Sequence, residues 1–250
     1  MNAMILAAGK GTRLYPLTEK LPKPMVPVAG LPVLEHSILW LRRHGIQRIA
    51  INLHYKGAEI RKHFGDGSRL GVSLRYSEEM ELLGTAGGVK RVADFFEDPF
   101  IVVYGDVLTD FDLGALLAFH RAHGSTPHAT LTLDRRPDSA ACGVVALDEQ
   151  SRITSFVEKP APGTIHSPWV NSGIMVLDRA LLSTLPADRN CDFGREILPA
   201  WLAAGTPLWG WQMPETAYLV DMGTPENYGC AQREWPKRMA ILKEMSGKVP

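Results

Sequence analysis

The sequence is poor in the features that mark several common classes of protein. It has only three cysteines in 250 residues, Cys142, Cys191 and Cys230, an odd number at wide spacing that fits neither a disulfide framework nor a zinc ribbon. They read as buried small hydrophobes. Neither sign of charge is in excess: Lys and Arg total 27 and so do Asp and Glu, so nothing favours condensation onto nucleic acid or an anionic membrane. Any basic residue that matters must act locally. Long apolar runs are missing too. The stretch Met1 to Gly9 is too short for a signal peptide or a membrane span and reads as a buried strand, which makes the cytoplasm the expected location. No repeat, low-complexity segment or linker interrupts the chain. With 45% hydrophobic residues it can bury a sizeable core, and residues 1–250 read as one domain.

Short apolar runs alternate with amphipathic stretches through the first half, the pattern of a parallel sheet flanked by helices. Strands are expected at Met4–Ala8, Arg48–Leu53, Val72–Tyr76 and Phe100–Tyr104, and helices at Val33–His44, Ala58–Phe64, Ala86–Phe95 and Leu113–His123, the last capped by Asp112. Beyond Pro127 the strands come closer together, at Ala129–Leu133, Gly143–Leu147, Ile153–Val157 and Val170–Leu177, which points to a mixed sheet. A helix over Phe193–Ala204, strands at Leu208–Gln212 and ending near Asp221, and a final helix capped by Thr224 complete the pattern. The fold class is therefore α/β, Rossmann-like, with a mixed but mainly parallel sheet. Ligands of such sheets bind outside the carboxyl ends of the strands, where Gly9–Arg13 and Gly105-Asp106 both fall.

Two familiar phosphate motifs are absent from the first of these loops. A dinucleotide fingerprint needs a third glycine, but Thr12-Arg13-Leu14 follows Gly11; a P-loop needs Gly five residues before Gly9, where Met4 stands. What is present is two glycines, a hydroxyl at Thr12 and the planar fork of Arg13, which suit a phosphate as well as they suit a tight turn with a surface arginine. Ten residues on, Pro22-Lys23-Pro24 holds Lys23 between two prolines that favour an extended backbone and aim the side chain. On spacing alone, phosphate binding and an ordinary solvated lysine remain equally open.

Together, Gly9-Lys10-Gly11-Thr12-Arg13, Pro16-Leu17-Thr18 and Pro22-Lys23-Pro24 resemble the signature of the nucleotidyltransferase family that makes NDP-sugars. Further similarity lies in Leu83-Gly84-Thr85-Ala86-Gly87-Gly88, Tyr104-Gly105-Asp106-Val107, Gly143-Val144-Val145, Phe156-Val157-Glu158-Lys159-Pro160, Val170-Asn171-Ser172-Gly173-Ile174 and Asp221 to Tyr228. Each string is short, but they follow the family's order over nearly the whole chain.

The resemblance implies transfer of a nucleotidyl group from a nucleoside triphosphate to a sugar-1-phosphate, with pyrophosphate leaving. By the same resemblance Asp106 and Asp221 hold Mg2+, Arg13 grips the β and γ phosphates, and Lys23 contacts the α-phosphate. Leu6, Ala8, Gly9, Gly11, Thr12, Gly84, Thr85 and Gly88 surround the nucleotide. Lys159 takes the sugar phosphate, Glu158 and Asn171 accept hydroxyl hydrogen bonds, and Gly143 closes against the sugar ring. Residues 1–125 would serve mainly the nucleotide, 126–230 the sugar phosphate, and 231–250 form the closing helix. Neither nucleic acid nor membrane is an expected partner. No general base is needed, because the attacking phosphate oxygen is already ionised; His36, His54, His120, His123 and His128 are left to surface or helix-face positions.

The identity of the base stays open: Leu83 to Gly87 resembles guanylyltransferases acting on mannose- or heptose-1-phosphate, while Ala3 to Gly11 and Gly65-Asp66-Gly67-Ser68-Arg69 are similar to N-acetylmuramate-1-phosphate uridylyltransferases. The guanylyl reading is favoured, with UTP or dTTP and another sugar phosphate as the alternative. A CTP-dependent transferase for a phosphorylated alcohol and a non-catalytic subunit of the same fold are further alternatives. Cys142, where the family often has an aromatic, and Leu219, where tryptophan is common, bear on the sugar more than on the reaction. The family's longer members carry an added β-helix with a second function, for which the residues after Tyr228 leave no room, so no second activity is expected. Trp235 and Met239 on the last helix suit packing against the chain's own core or a contact with a second copy.

Overall fold

The computed structural model describes residues 1–124, 126–136, 142–161 and 167–246. In chain order the elements are β1 (Asn2–Leu6), α1 (Leu17–Lys20), β2 (Pro27–Val28), β3 (Leu31–Pro32), α2 (Val33–Arg43), β4 (Arg48–Leu53), α3 (Gly57–Phe64), β5 (Ser73–Glu78), α4 (Gly84–Arg91) and β6 (Phe100–Tyr104). There follow β7 (Val107–Thr109), α5 (Leu113–Ala122), β8 (Ala129–Arg135), β9 (Gly143–Leu147), β10 (Ile153–Glu158), β11 (Trp169–Leu177), α6 (Leu198–Ala203), β12 (Leu208–Gln212), β13 (Leu219–Asp221) and α7 (Pro225–Ser246). Residues 247–250 of the expected closing helix lie outside the described residues.

Nine strands form one sheet whose main path runs β10-β9-β11-β6-β1-β4-β5, with β8 and β12 joined through β11. The four strands β6, β1, β4 and β5 are parallel, and β11 turns the sheet antiparallel at β6. Alternation along β1 explains why both faces are dry. Ala3 and Ile5 join Ile49, Ile51, Ile101 and Val103 under the apolar stripe Leu34, Ile38 and Leu41 of α2. Met4, Ala50 and Val102 face the other way, toward Val89 of α4 and Phe193, Leu198 and Trp201. Each buried Val, Leu, Ile, Phe or Met side chain here contributes about 1.5–3 kcal/mol by leaving water.

Several expected boundaries move for local reasons. The first strand stops at Leu6 because the Ala7 N–H turns to the Asn52 side-chain oxygen at 2.8 Å instead of continuing the ladder. The helix expected over Ala86–Phe95 breaks at Val92 and becomes a 3-10 turn at Ala93–Phe95, carrying the Phe95 ring into the core. The one expected over Phe193–Ala204 opens as a π turn over Phe193–Ile197 and turns α-helical only at Leu198, with Pro199, which has no N–H to donate, in its first turn. The ribbon of β2 with β3 and the strand β7 were not expected at all. Their two or three residues are too short to show a period.

Among the cysteines only Cys191 is fully buried; Cys142 and Cys230 are half-exposed. Of the histidines left to surface or helix-face positions, His36 and His120 do lie on helices but are buried, as is His128, and each of the three has hydrogen-bond partners at both ring nitrogens. One of these contacts fixes the last helix. Trp235 of α7 donates its indole N–H to His36 Nδ1 at 3.2 Å and packs with Val28, Leu108 and Val220, so α7 lies on the chain's own core.

Candidate active site

The carboxyl ends of β1 and β6 open on one cleft. Gly105 lets the two strand ends approach: its N–H bonds the Leu6 carbonyl at 2.9 Å, and a Cβ there would stand 2.7 Å from that oxygen. Asp106 follows at once. Asp221, remote in sequence, is brought beside it by the β7–β13 ribbon, in which Val107 pairs with Asp221 and the Met222 N–H bonds the Asp106 carbonyl at 2.8 Å. Asn227 holds the Asp221 carbonyl from below at 2.7 Å, and Thr224 caps the helix start as expected.

Lys23 lies between the two carboxylates, in direct contact with Asp106 and 3.8 Å from Asp221 Oδ1. It is buried, and its backbone corrects the extended expectation: Pro22 is extended, but Lys23 itself opens a 3-10 turn through Met25. Gly11, at φ +65, allows the first loop to lie on the lysine stem, where a Cβ would come within 2.7 Å of Lys23 Cβ. Burial, and after it the Asp106 charge, hold the Asp221 carboxyl above the usual aspartate range, against the pull of Lys23 and Arg13. Among the described residues, Asp221 Oδ1 is one of few buried side-chain oxygens with no hydrogen-bond partner. Two hard carboxylates, one with an orphaned oxygen, are a donor set that fits Mg2+.

Two pockets meet at this point and share Tyr104, Asp106 and Asp192 as a wall. The first, mostly apolar, is lined by Leu6, Ala8, Gly9, Lys23, Gly84 and Thr85, together with Asn52 and Glu79. The second is polar and takes Arg13, Gly143, Glu158, Lys159, Asn171 and Asp221, with Arg136 and Arg195. The expected nucleotide and sugar-phosphate residues thus divide between the two, with three exceptions. Gly11 and Thr12 line neither pocket, Thr12 being exposed at the start of a 3-10 turn. Gly88 is buried behind the first; its missing Cβ makes room for Asn52 and Glu79, whose Nδ2 to Oε1 bond is 2.8 Å. Those two side chains brace the pocket: Asn52 accepts from the Ala7 N–H and Glu79 from the Leu83 N–H at 2.9 Å.

In the second pocket Glu158 stands between two glycines. A Cβ at Gly143 would come 2.9 Å from Glu158 Oε2, and one at Gly194 would come 2.6 Å from it, so Gly143 closes on this carboxylate as well as lining the pocket. Burial pushes the Glu158 carboxyl up, with Lys159 opposing and Asp192 adding to the rise. Lys159 holds a left-handed backbone, φ +50, tied by its N–H to the Cys142 carbonyl at 2.9 Å. The β11 register breaks between Asn171 and Met175, with Gly173 at φ +80 against the Tyr104 ring, a bulge at the pocket rim. Asn171 Oδ1 accepts the Gly173 N–H at 3.2 Å, which leaves its NH2 group and a second lone pair of the oxygen for a ligand.

The two pockets are clipped together by residues 190–193. Cys191 exchanges backbone bonds with Leu83, Ala86 and Gly87, and Gly84, at φ +72, has no room for a Cβ, which would lie 2.4 Å from the Cys191 carbonyl oxygen. Asn52, Glu79, Asp192, Arg136 and Arg195 were missed in the sequence. A polar Asn52 inside the apolar run Ile49–Leu53 was a signal that was available.

The profile of the nucleotidyl transferase family matches residues 2–238. The chain belongs to this family. A mannose-1-phosphate guanylyltransferase of Mycobacterium tuberculosis is 40% identical over 231 residues, covering 91% of this chain and 62% of that protein. A UTP–glucose-1-phosphate uridylyltransferase of Synechocystis is 36% identical over 247 residues, covering 93% of this chain and 63% of its own length. The chain thus spans under two thirds of these relatives. Among solved structures, HddC from Yersinia pseudotuberculosis complexed with GMP-PN is 27% identical with TM-score 0.78, covering 94% of this chain and 99% of that one. No helix among the described residues is long and apolar enough to cross a membrane.

Proposed function

We propose that the chain transfers a nucleotidyl group from a nucleoside triphosphate to a sugar-1-phosphate, releasing pyrophosphate. The observation that carries this reading is the single wall, Tyr104, Asp106 and Asp192, between an apolar pocket suited to a base and a polar pocket suited to a sugar phosphate. A sugar-phosphate oxygen attacks the α-phosphorus, the bond from that phosphorus to the bridging oxygen breaks, and pyrophosphate leaves with the electron pair. The attacking oxygen is already an anion, so the protein's task is to position and neutralise charge.

Arg13, exposed at the cleft mouth, grips the outgoing phosphates, and Lys23 supplies its ammonium to the α-phosphate. Lys159 and Arg195 bind the sugar phosphate; Glu158 accepts from the sugar hydroxyls and the Asn171 amide donates to them. Asp106 and Asp221 would hold Mg2+, which when bound offsets phosphate charge and occupies the orphaned Asp221 oxygen. The cytoplasm is the location that this reading takes for the reaction.

GTP with mannose- or heptose-1-phosphate is the favoured pair, supported by the 40% identity to a mannose-1-phosphate guanylyltransferase and by the likeness to HddC crystallised with GMP-PN. UTP with glucose-1-phosphate is the second reading, supported by the Synechocystis relative. Pyrophosphate release measured for each triphosphate with a panel of sugar-1-phosphates tests both readings. Release with no pair would reject transfer and leave a binding role.

A further inference from the structure

Far from the cleft, the opposite ends of the same strands carry a second cluster of ligating groups. Asp178 follows β11 where Leu177 pairs with Phe100, the first residue of β6, whereas Asp106 lies beyond the last. About 13 Å of strand separates the two ends. Here His120 from α5 and His128 from the approach to β8 meet Asp178, with their imidazole rings 4.2 Å apart and both buried. His120 Nε2 is 3.2 Å from Asp178 Oδ1, and His128 Nδ1 is 3.1 Å from Oδ2.

The cluster brings together three metal-ligating groups, with one ligand atom from each within 4.8 Å of the others. His128 Nε2 donates to the His120 carbonyl at 3.0 Å, so in a neutral ring Nδ1 would be a lone pair. Yet Nδ1 faces only oxygens, the Thr126 carbonyl at 2.8 Å and the Asp178 carboxylate. Its hydrogen bond runs to the Thr126 carbonyl, and a metal ion at Nδ1 would replace that bond. We propose that His120, His128 and Asp178 form a structural site for a divalent transition metal of the zinc type. The separations of 3.2 and 3.1 Å, one to each oxygen of the same carboxylate, are close to the roughly 3.3 Å between neighbouring ligands of a tetrahedral ion with bonds of about 2.0–2.1 Å.

Both histidines are also anchored at the other ring nitrogen, as metal-bound imidazoles are, and the carboxylate is held by a backbone N–H. His120 Nδ1 meets the Thr130 hydroxyl at 2.9 Å, His128 Nε2 the His120 carbonyl, and Asp178 Oδ2 the His128 N–H at 2.7 Å. Two imidazoles and a carboxylate select zinc, nickel or cobalt over Mg2+, so this site is chemically separate from the Asp106 and Asp221 pair. Bound metal would tie α5 to the ends of two central strands.

The test is Co2+ titration of tag-free, chelator-treated protein in excess Mg2+, read by visible absorption, with melting measured in Zn2+. One equivalent of Co2+ should give a d–d band that Zn2+ abolishes, and Zn2+ at a hundredfold excess over Kd should raise Tm by about 5–10 °C. His128→Gln should lose both responses. Asp178→Asn serves as the second variant if His128→Gln does not fold. Absence of the band and of the Zn2+ shift in the wild type overturns the site and leaves a purely hydrogen-bonded cluster. A band that survives in the variants overturns it as well, by placing the metal elsewhere.

Discussion

The Thr85 hydroxyl donates to Asp192 Oδ2 at 2.9 Å and accepts from the Phe193 N–H at 2.8 Å, so a residue expected to serve the nucleotide is fastened to the sugar half. Thr85→Val keeps the shape and removes both bonds. With a partly buried donor and acceptor left unpaired, about 1–3 kcal/mol of stability should be lost. In steady-state kinetics KM should rise for both substrates, with Thr85→Ser close to wild type. A rise for the triphosphate alone would mean that the clip does not couple the pockets.

Gly84 tests the same junction by sterics. Gly84→Ala would place a methyl group 2.4 Å from the Cys191 carbonyl oxygen at a positive φ, so denaturant titration should reveal destabilisation on the order of 1–3 kcal/mol. A neutral result would show that the 190–193 segment is free to move away.

Asp221 carries a pH signature. Its folded pKa is raised, so the folded state holds that proton more tightly than the unfolded chain does. The contribution is therefore full below the usual aspartate value and fades as pH rises through the folded pKa, leaving an ionised carboxylate that costs stability at neutral pH. In Mg2+-free buffer Asp221→Asn should melt above wild type near pH 7, with less difference in acid, and should lack both turnover and the Mg2+-induced rise in Tm. Equal Mg2+ responses in the two proteins would exclude Asp221 as a ligand.

Lys23→Met removes the ammonium that the two carboxylates share. The metal-free variant should lose about 3 kcal/mol, since a buried charge is left uncompensated, and added Mg2+ should restore part of that loss while kcat stays low. Calorimetry with and without Mg2+ checks this; no recovery would separate Lys23 from the metal site.

Glu158 should title the acid limb of the sugar-phosphate profile. Because burial raises its pKa, kcat/KM for the sugar phosphate should fall at a higher pH than an ordinary glutamate would give, with kcat/KM for the triphosphate less affected. Glu158→Gln should remove that limb.

The strands were legible wherever a period had room to repeat: Arg48–Leu53, Phe100–Tyr104, Gly143–Leu147 and Leu208–Gln212 lie where the pattern put them. The resemblance named the charged residues as a set and paired Asp106 with Asp221, but the local pattern did not show what brings them together. Asp221 reaches Asp106 through a three-residue ribbon too short to carry a pattern, and Asp192 reaches Thr85 through a turn that nothing local announces. The surroundings of the glycines were the least legible: the missing Cβ of Gly88 makes room for Asn52 and Glu79 and that of Gly143 for Glu158, and no sequence shows what a missing Cβ makes room for.

Strand β11 carries Asn171 at the rim of one pocket and leads into Asp178 beside two histidines. Slipping it by a single residue against β6 would turn every side chain to the opposite face. Asn171 would leave the cleft in the same movement that withdrew Asp178 from His120 and His128. The two ends are thus parts of one mechanical beam, and a mutation that loosens the bulge at Gly173 should be felt at both ends.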